Sequence, residues 1–200
     1  GEGKIIANIS SEYQTNNSLT SSSAMLAGNK NSFNWMLRGS YKAATNYQNK
    51  IDGRVYGTAF RESDINGLVG MNRSWGYTHL GFSIFNDLQE IPDGSRDSAS
   101  RKFTKQITEA DIYRPIVTDD ALKSYTITPL HQHVQHYRVY SANNFILGQN
   151  RLAVNVAYQN SLRQEFSHPT AAVPGLYLNL NTFTYDAKFF FPEKNNWSIT

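Results

Sequence analysis

The chain has 200 residues, no cysteine and a net charge of +3, from 19 Lys and Arg against 16 Asp and Glu. Those counts exclude disulfides and thiolate metal centres, and the scattered bases give only a weak nucleic-acid footprint. No apolar run reaches the roughly 18–20 residues of a membrane helix; that limit does not apply to strands, which stay half polar even in a bilayer.

From the N-terminus, "KIIANISSEYQ" sets Ile5, Ala7, Ile9 and Tyr13 against Asn8, Ser10, Glu12 and Gln14. Successive side chains of a strand point to opposite faces, so this stretch is an expected strand with one oily and one wet side. A weaker case covers Ser18 to Gly28. Then "FNWMLRGSYKA" opposes Phe33, Trp35, Leu37 and Tyr41 to Asn34, Arg38, Ser40 and Lys42. Ile65 to Met71 is another weak case, and "THLGFSIFND" sets Leu80, Phe82 and Ile84 against His79, Gly81, Ser83 and Asp87. His136 to Ser141 follows, and then "RLAVNVAYQNSLRQEF", with Leu152, Val154, Val156 and Tyr158 on one side. Leu176 to Phe189 changes phase after Leu180, which implies a bulge or a strand projecting beyond its apolar zone.

These are about eight expected strands and the start of a ninth at "NNWSIT", each near the ~9–11 residues of a tilted membrane strand. The start at Gly1 and the end in that ninth strand give the expectation of a segment cut from a longer chain. Helical periodicity is absent; only "TEAD" and "TDDALKS" suggest a turn of helix, capped by Thr108 or Thr118.

The connectors alternate in length. "GNKNS", "NRSWG", "LGQN" and "PEKNN" are short and rich in turn formers. Opposite them lie Lys42 to Glu62, Leu88 to Pro129 and Ser161 to Gly175, with a shorter "TNNS" near residue 16. Short turns on one rim and long loops on the other characterise membrane barrels. Aromatics flank the strand ends: Phe33, Trp35, Trp75, Tyr77, Phe145, Phe189, Phe190, Phe191 and Trp197 near the short turns, and Tyr13, Tyr41 and Tyr158 at the far ends. Interfacial girdles have this pattern, whereas a soluble sandwich places large rings mid-strand.

In that order, "YKAATNYQNKIDGRVYGTAFRESDINGLVGMNRSWGYTHLGFSIFND", "ITPLHQHVQHYRVYSANNF", "RLAVNVAYQNSLRQEF" and "LYLNLNTFTYDAKFFF" resemble the early barrel of TonB-dependent outer-membrane receptors, especially those of Bacteroidota-type bacteria. The resemblance spans essentially the whole chain through individually loose motifs. It implies an all-β, antiparallel transmembrane β-barrel, of which residues 1–200 supply about 8–9 strands of a 22-stranded wall with a plugged lumen. The plug and its TonB box would lie outside this chain. It further implies active import, most simply of a ferric siderophore, across the bacterial outer membrane. The partners would be the TonB complex, outer-membrane lipid, lipopolysaccharide and a surface lipoprotein. Haem, cobalamin and oligosaccharide are the other cargo classes.

In the longest loop, "SRDSASRKFTK" gathers Arg96, Arg101, Lys102 and Lys105, and "DIYRP" sets Tyr113 beside Arg114. A basic patch attracts an anionic chelate or grips lipopolysaccharide phosphates, and a ring with a forked donor suits a catecholate or hydroxamate. Arg101, Lys102, Tyr113 and Arg114 are therefore the expected substrate contacts. "HQHVQH" puts His131 and His133 on one face at a metal-gripping spacing. Pro129, Gln132, His136, Tyr137 and Arg138 also match a pattern of the resembled receptors, so a strand-end role is preferred and no resident metal or cofactor is expected. Gly-x-Ser-x-Gly elbows, phosphate loops and His-Glu-x-x-His runs are lacking, and no enzyme is expected. Two rivals fit the same alternation: a complete barrel of eight to ten strands acting as adhesin or porin, and a soluble β-sandwich that binds carbohydrate.

Overall fold

The computed structural model describes residues 3–170 and 172–192. Eight long strands form one antiparallel sheet in the order they occur along the chain. They are β1 (Ile5–Gln14), β2 (Leu19–Lys30), β3 (Phe33–Ala44), β6 (Phe60–Arg73), β7 (Gly76–Glu90), β8 (His131–Leu147), β9 (Asn150–Phe166) and β10 (Leu176–Phe190). A small hairpin, β4 (Gln48–Asn49) with β5 (Gly53–Arg54), and one helical turn, α1 (Asp119–Leu122), lie in the connections. The chain is all-β, as expected. Among the described residues the sheet does not close: β1 and β10 each pair with one neighbour and form its two edges.

Two-residue turns join the strands on one rim. Asn31 and Ser32, at φ 50° and 69°, make the doubly positive-φ turn whose twist matches a hairpin. The Ser74–Trp75 turn ends on Gly76 at φ 126°, where an added Cβ would stand 1.8 Å from the Asn144 carbonyl oxygen. Gly76→Ala should cost about 3 kcal/mol or more through strain and that clash, and thermal unfolding of the variant checks it.

Residues 15–18, 45–59, 91–130 and 167–175 connect strands on the opposite rim. The two sets of connectors fall as the sequence implies. The strands run further into the loop rim than alternation alone indicates, with β8 beginning at His131 and β9 reaching Phe166. Thr118 caps α1 by accepting from the Ala121 N–H, whereas Thr108 closes only a turn. The expected turn past Pro192, Trp197 and the ninth strand lie outside the described residues.

Register decides which residues share a face. The row Ala7, Leu26, Leu37, Gly67, Phe82, Val139, Tyr158, Phe183 crosses all eight strands. No described residue covers it: Leu37 is 50% exposed and Val139 52%. Three glycines let large rings lie flat across a neighbouring strand, Gly28 under Trp35, Gly67 under Phe82 and Gly81 under Tyr140. The β9–β10 register runs unbroken from Leu176 opposite Glu165 to Phe190 opposite Arg151. No bulge therefore explains the change of phase in β10. Leu176, Leu178 and Leu180 face the polar side near the loop rim, and Phe183, Tyr185 and Phe189 face the apolar side.

Charge divides the two faces more sharply than hydropathy. Glu12, Arg38, Lys42, Glu62, Asp64, Asp87, Arg138, Arg151, Arg163, Glu165, Asp186 and Lys188 all stand on one face. There Lys42 meets Glu62 at 2.7 Å. On the other face the long strands carry only Lys30, Arg61, Arg73 and Glu90, each within two residues of a strand end. That apolar face carries Phe33, Trp35, Phe145 and Phe189 near the turns, and Tyr13, Tyr41, Tyr137 and Tyr158 towards the loops.

Candidate functional site

The buried aromatic cluster sits in the connections above the loop rim. Tyr56, Phe103 and Val117 enclose one another, with Val55, Ala121 and Leu122 packed around them. Bridges between Arg96 and Phe103 and between Thr104 and Ile116 fold residues 91–130 back on themselves. Burial out of water stabilises this small cap, and polar ties fasten it to the sheet. Buried Glu90 accepts from the Ala59 N–H at 3.1 Å and the Thr128 N–H at 3.0 Å, one from each long connection. Asn46, fully buried, accepts from the Thr58 N–H at 2.8 Å and donates to the Leu122 carbonyl at 3.3 Å. Burial and the nearby Glu90 charge push the Tyr56 phenol above its ordinary range.

A groove of about 390 Å³ opens between the β4–β5 hairpin, residues 96–103 and α1. Phe103, Val117 and Leu122 contribute its apolar walls, and Arg54, Arg96, Arg101 and Lys102 its cations. These cations are not equivalent. Arg96 is committed to Asp52 at 2.6 Å, and its guanidinium lies 3.9 Å over the Phe103 ring. Arg54 donates only to neutral oxygens, 2.6 Å to the Asn46 carbonyl and 3.3 Å to the Asn16 carbonyl and to Thr45 Oγ1, so its charge stays uncompensated. The side chains of Arg101 and Lys102 have no hydrogen-bond or ion-pair partner among the described residues. Asp119 is the one lining carboxylate without such a pairing, and the groove is biased positive.

Local geometry presents these two bases. Asp97 accepts from the Ser100 N–H at 2.6 Å and the Ser100 hydroxyl at 2.7 Å, which hold its carboxyl below the usual range. The tight turn that results leaves Arg101 at φ 61°, a conformation a non-glycine residue seldom adopts. An anionic group entering the groove would meet Arg101 and Lys102 beside an apolar wall.

Tyr113 and Arg114 stand elsewhere, on the arm formed by residues 104–116. Tyr113 is 68% exposed. Arg114 reaches Asp111 and Asp93, each at 2.7 Å, and these bonds raise its already high pKa further. The guanidinium is a strut within the arm, and no stack with the Tyr113 ring forms. The four expected contacts thus separate into a pair in the groove and a pair on the arm. Sequence reasoning missed Arg54 and Asp52, whose only signal is the "DGR" turn of the hairpin.

The histidines are dispersed as well. His131 stacks on Phe166 at 4.6 Å between centroids, and its Nδ1 donates towards the Thr128 and Pro129 carbonyls at 2.9 Å. His133 Nε2 lies 2.6 Å from Asn86 Oδ1, and His136, on the opposite face, lies 2.7 Å from Ser161 Oγ. Among the described residues no group of three or more His, Asp or Glu side chains could hold a metal.

One further contact joins the arm to the next connection. Glu109 accepts from His168 Nδ1 at 2.6 Å, from Thr170 Oγ1 at 2.7 Å and from the Thr170 N–H at 3.3 Å. Those bonds, the Thr170 hydroxyl first, depress the Glu109 pKa. The folded value lies below the unfolded one, so the clasp is held above the ordinary glutamate range of about 4.3 and lost as pH falls through the depressed value. Amide exchange at Thr170 should therefore lose protection as the pH falls below the ordinary glutamate range, while the sheet keeps its own.

Comparison with protein-family models, curated proteins and solved structures gave no match.

Proposed function

We propose that the chain is a stretch of the wall of a bacterial outer-membrane β-barrel of the TonB-dependent kind, which actively imports a scarce, bulky nutrient, a ferric siderophore first among the candidates. One observation carries the reading: an exposed apolar face whose charges are confined to the strand ends. The stretch from Arg61 to Arg73 covers roughly 40 Å of strand. At the ~35–45° tilt of barrel strands it spans about 28–33 Å of height, close to the ~30 Å hydrocarbon core of a bilayer. Rings at both margins of that face suit the two interfaces.

The polar face would then line the lumen, the two-residue turns would lie on the periplasmic side, and the cap would stand outside the cell. The two open edges of the sheet among the described residues favour a larger wall over a complete small barrel, and the apolar face, which no described residue covers, disfavours a sandwich. In transport the positive groove with Arg101 and Lys102 would attract an anionic chelate, and exposed Tyr113 would offer a ring for first contact. Arg114 would keep the arm in shape. The TonB complex, lipopolysaccharide and a surface lipoprotein would be its partners.

Membrane fractionation and radioiron uptake by cells with and without the full-length gene test the reading. The protein should sediment with the outer membrane and require detergent for extraction. Ferric-siderophore uptake should depend on the gene and stop when the inner-membrane proton gradient is dissipated. A protein that stays dissolved in plain buffer would overturn the membrane reading. Location in the outer membrane with uptake unchanged by deletion would overturn the cargo.

A further inference from the structure

Near the short-turn rim the apolar face is not flat. Phe33, Val69, Met71, Thr78 and Leu80 line a furrow of about 180 Å³ across β3, β6 and β7. Gly70 lies between Val69 and Met71 in its lining, where it contributes backbone alone, its α-carbon being turned towards Asn34 and His79 on the polar face. Lys30 lies in the same row as Phe33 and Met71, and Arg73 one row nearer the turns. Neither base has a hydrogen-bond or ion-pair partner among the described residues. The long strands place no carboxylate on this face at the turn end; Glu90 is at the opposite rim.

We propose that this site binds one anionic glycerophospholipid of the turn-side leaflet, its phosphate between Lys30 and Arg73 and an acyl chain along the furrow. The inference rests on the membrane reading above and adds an interaction which that reading does not require. Charge complementarity selects the occupant. Two uncompensated cations at the margin of an apolar surface match an anionic headgroup joined to hydrocarbon, and each base near a membrane surface is worth about 1 kcal/mol, roughly fivefold in affinity. A zwitterionic headgroup carries its own ammonium and gains less from the pair. The bases act together: Lys30 approaches from the β2 side and Arg73 from the β6 side, so the phosphate oxygens can accept from both.

Residues 1–200 hold no cysteine, and any cysteine elsewhere in the full-length protein is first changed to serine so that a single introduced thiol reports. Ser141 pairs with Leu80 and faces the same side one strand beyond the furrow. Ser141→Cys in the full-length protein, carrying an environment-sensitive fluorophore, is reconstituted in phosphatidylcholine vesicles. The vesicles are doped with phosphatidylglycerol or phosphatidylcholine that bears a quencher on its acyl chain. The expected result is preferential quenching by phosphatidylglycerol, on the order of 25-fold in apparent affinity, falling roughly fivefold in Lys30→Gln or Arg73→Gln alone and vanishing in the double variant. Equal quenching by the two lipids would overturn the site and leave the membrane reading intact. A preference that survives in the double variant would overturn the assignment to Lys30 and Arg73. No quenching by either lipid would overturn both inferences, because position 141 would then not face hydrocarbon. Since neither base has a protein partner, the variants should keep the wild-type shift in gel mobility on heating, which confirms that the barrel has formed.

Discussion

Leu37→Lys is expected to lower stability by about 2–4 kcal/mol in the full-length protein folded into vesicles, the cost of a cation at the bilayer midplane on a lipid-facing strand. Leu37 lies in the middle of the apolar face, between Leu26 and Gly67 on neighbouring strands, and is half exposed. Ser40→Lys, three residues along β3, turns the new ammonium to the polar face directly opposite Asp64. It should change stability by less than about 0.5 kcal/mol. Urea unfolding in vesicles, read by tryptophan fluorescence, measures both. If water rather than lipid touched the apolar face, the two lysines would behave alike, since a half-exposed Leu→Lys change in water costs little. A difference of at least 2 kcal/mol between neighbouring residues would be hard to explain in any other medium.

Phe103→Ala should be the most damaging single change in the cap. Its ring is 5% exposed, packs with Tyr56 and Val117, and supports the Arg96 guanidinium on its face. Truncating a buried phenylalanine costs about 3–5 kcal/mol, and a cluster this small has little else to hold it together. The expected result is local unfolding: amides at 45–59 and 95–128 exchange rapidly, while those of β7 and β8 stay protected. Binding of an anionic ligand to the groove should be lost with the cap, because Phe103 is one of its walls. Arg101→Gln and Lys102→Gln should weaken binding with the cap intact. That contrast separates loss of the wall from loss of charge.

The strands were legible in the sequence wherever one side of the chain is apolar. Leu80, Phe82 and Ile84 alternate against Gly81 and Ser83, and only a strand with two unlike faces produces that period. Beyond the apolar zone both faces are polar, as in "HQHVQ" and "NSLRQEF", and the signal fades although the ladder continues. Strand ends at the loop rim were therefore set short. The cap was not legible. Tyr56, Phe103 and Val117 belong to different stretches of an otherwise polar sequence, and no periodicity links them. The charge pairs stayed hidden for the same reason. Asp93 lies 21 residues before the Arg114 it neutralises, and His168 is 59 residues from Glu109. Adjacent Tyr113 and Arg114 invite a joint reading that their actual neighbours dissolve. The pair Arg101 and Lys102 was legible because both bases follow the serine-rich turn that presents them.

The sequential order of the sheet has a consequence for how the chain assembles. Every long strand but one finds its partner after a short or moderate excursion; β7 must wait for β8 across residues 91–130. Closing so long an untethered segment carries an entropic penalty that grows with its length. Once the cap has gathered its cluster, the tether is no longer forty free residues. Glu90 holds Thr128 beside the last residue of β7, three positions before β8 begins at His131. The cap thus acts as a clamp that hands the second half of the sheet to the first, and damage to it should slow assembly even where the finished ladder survives.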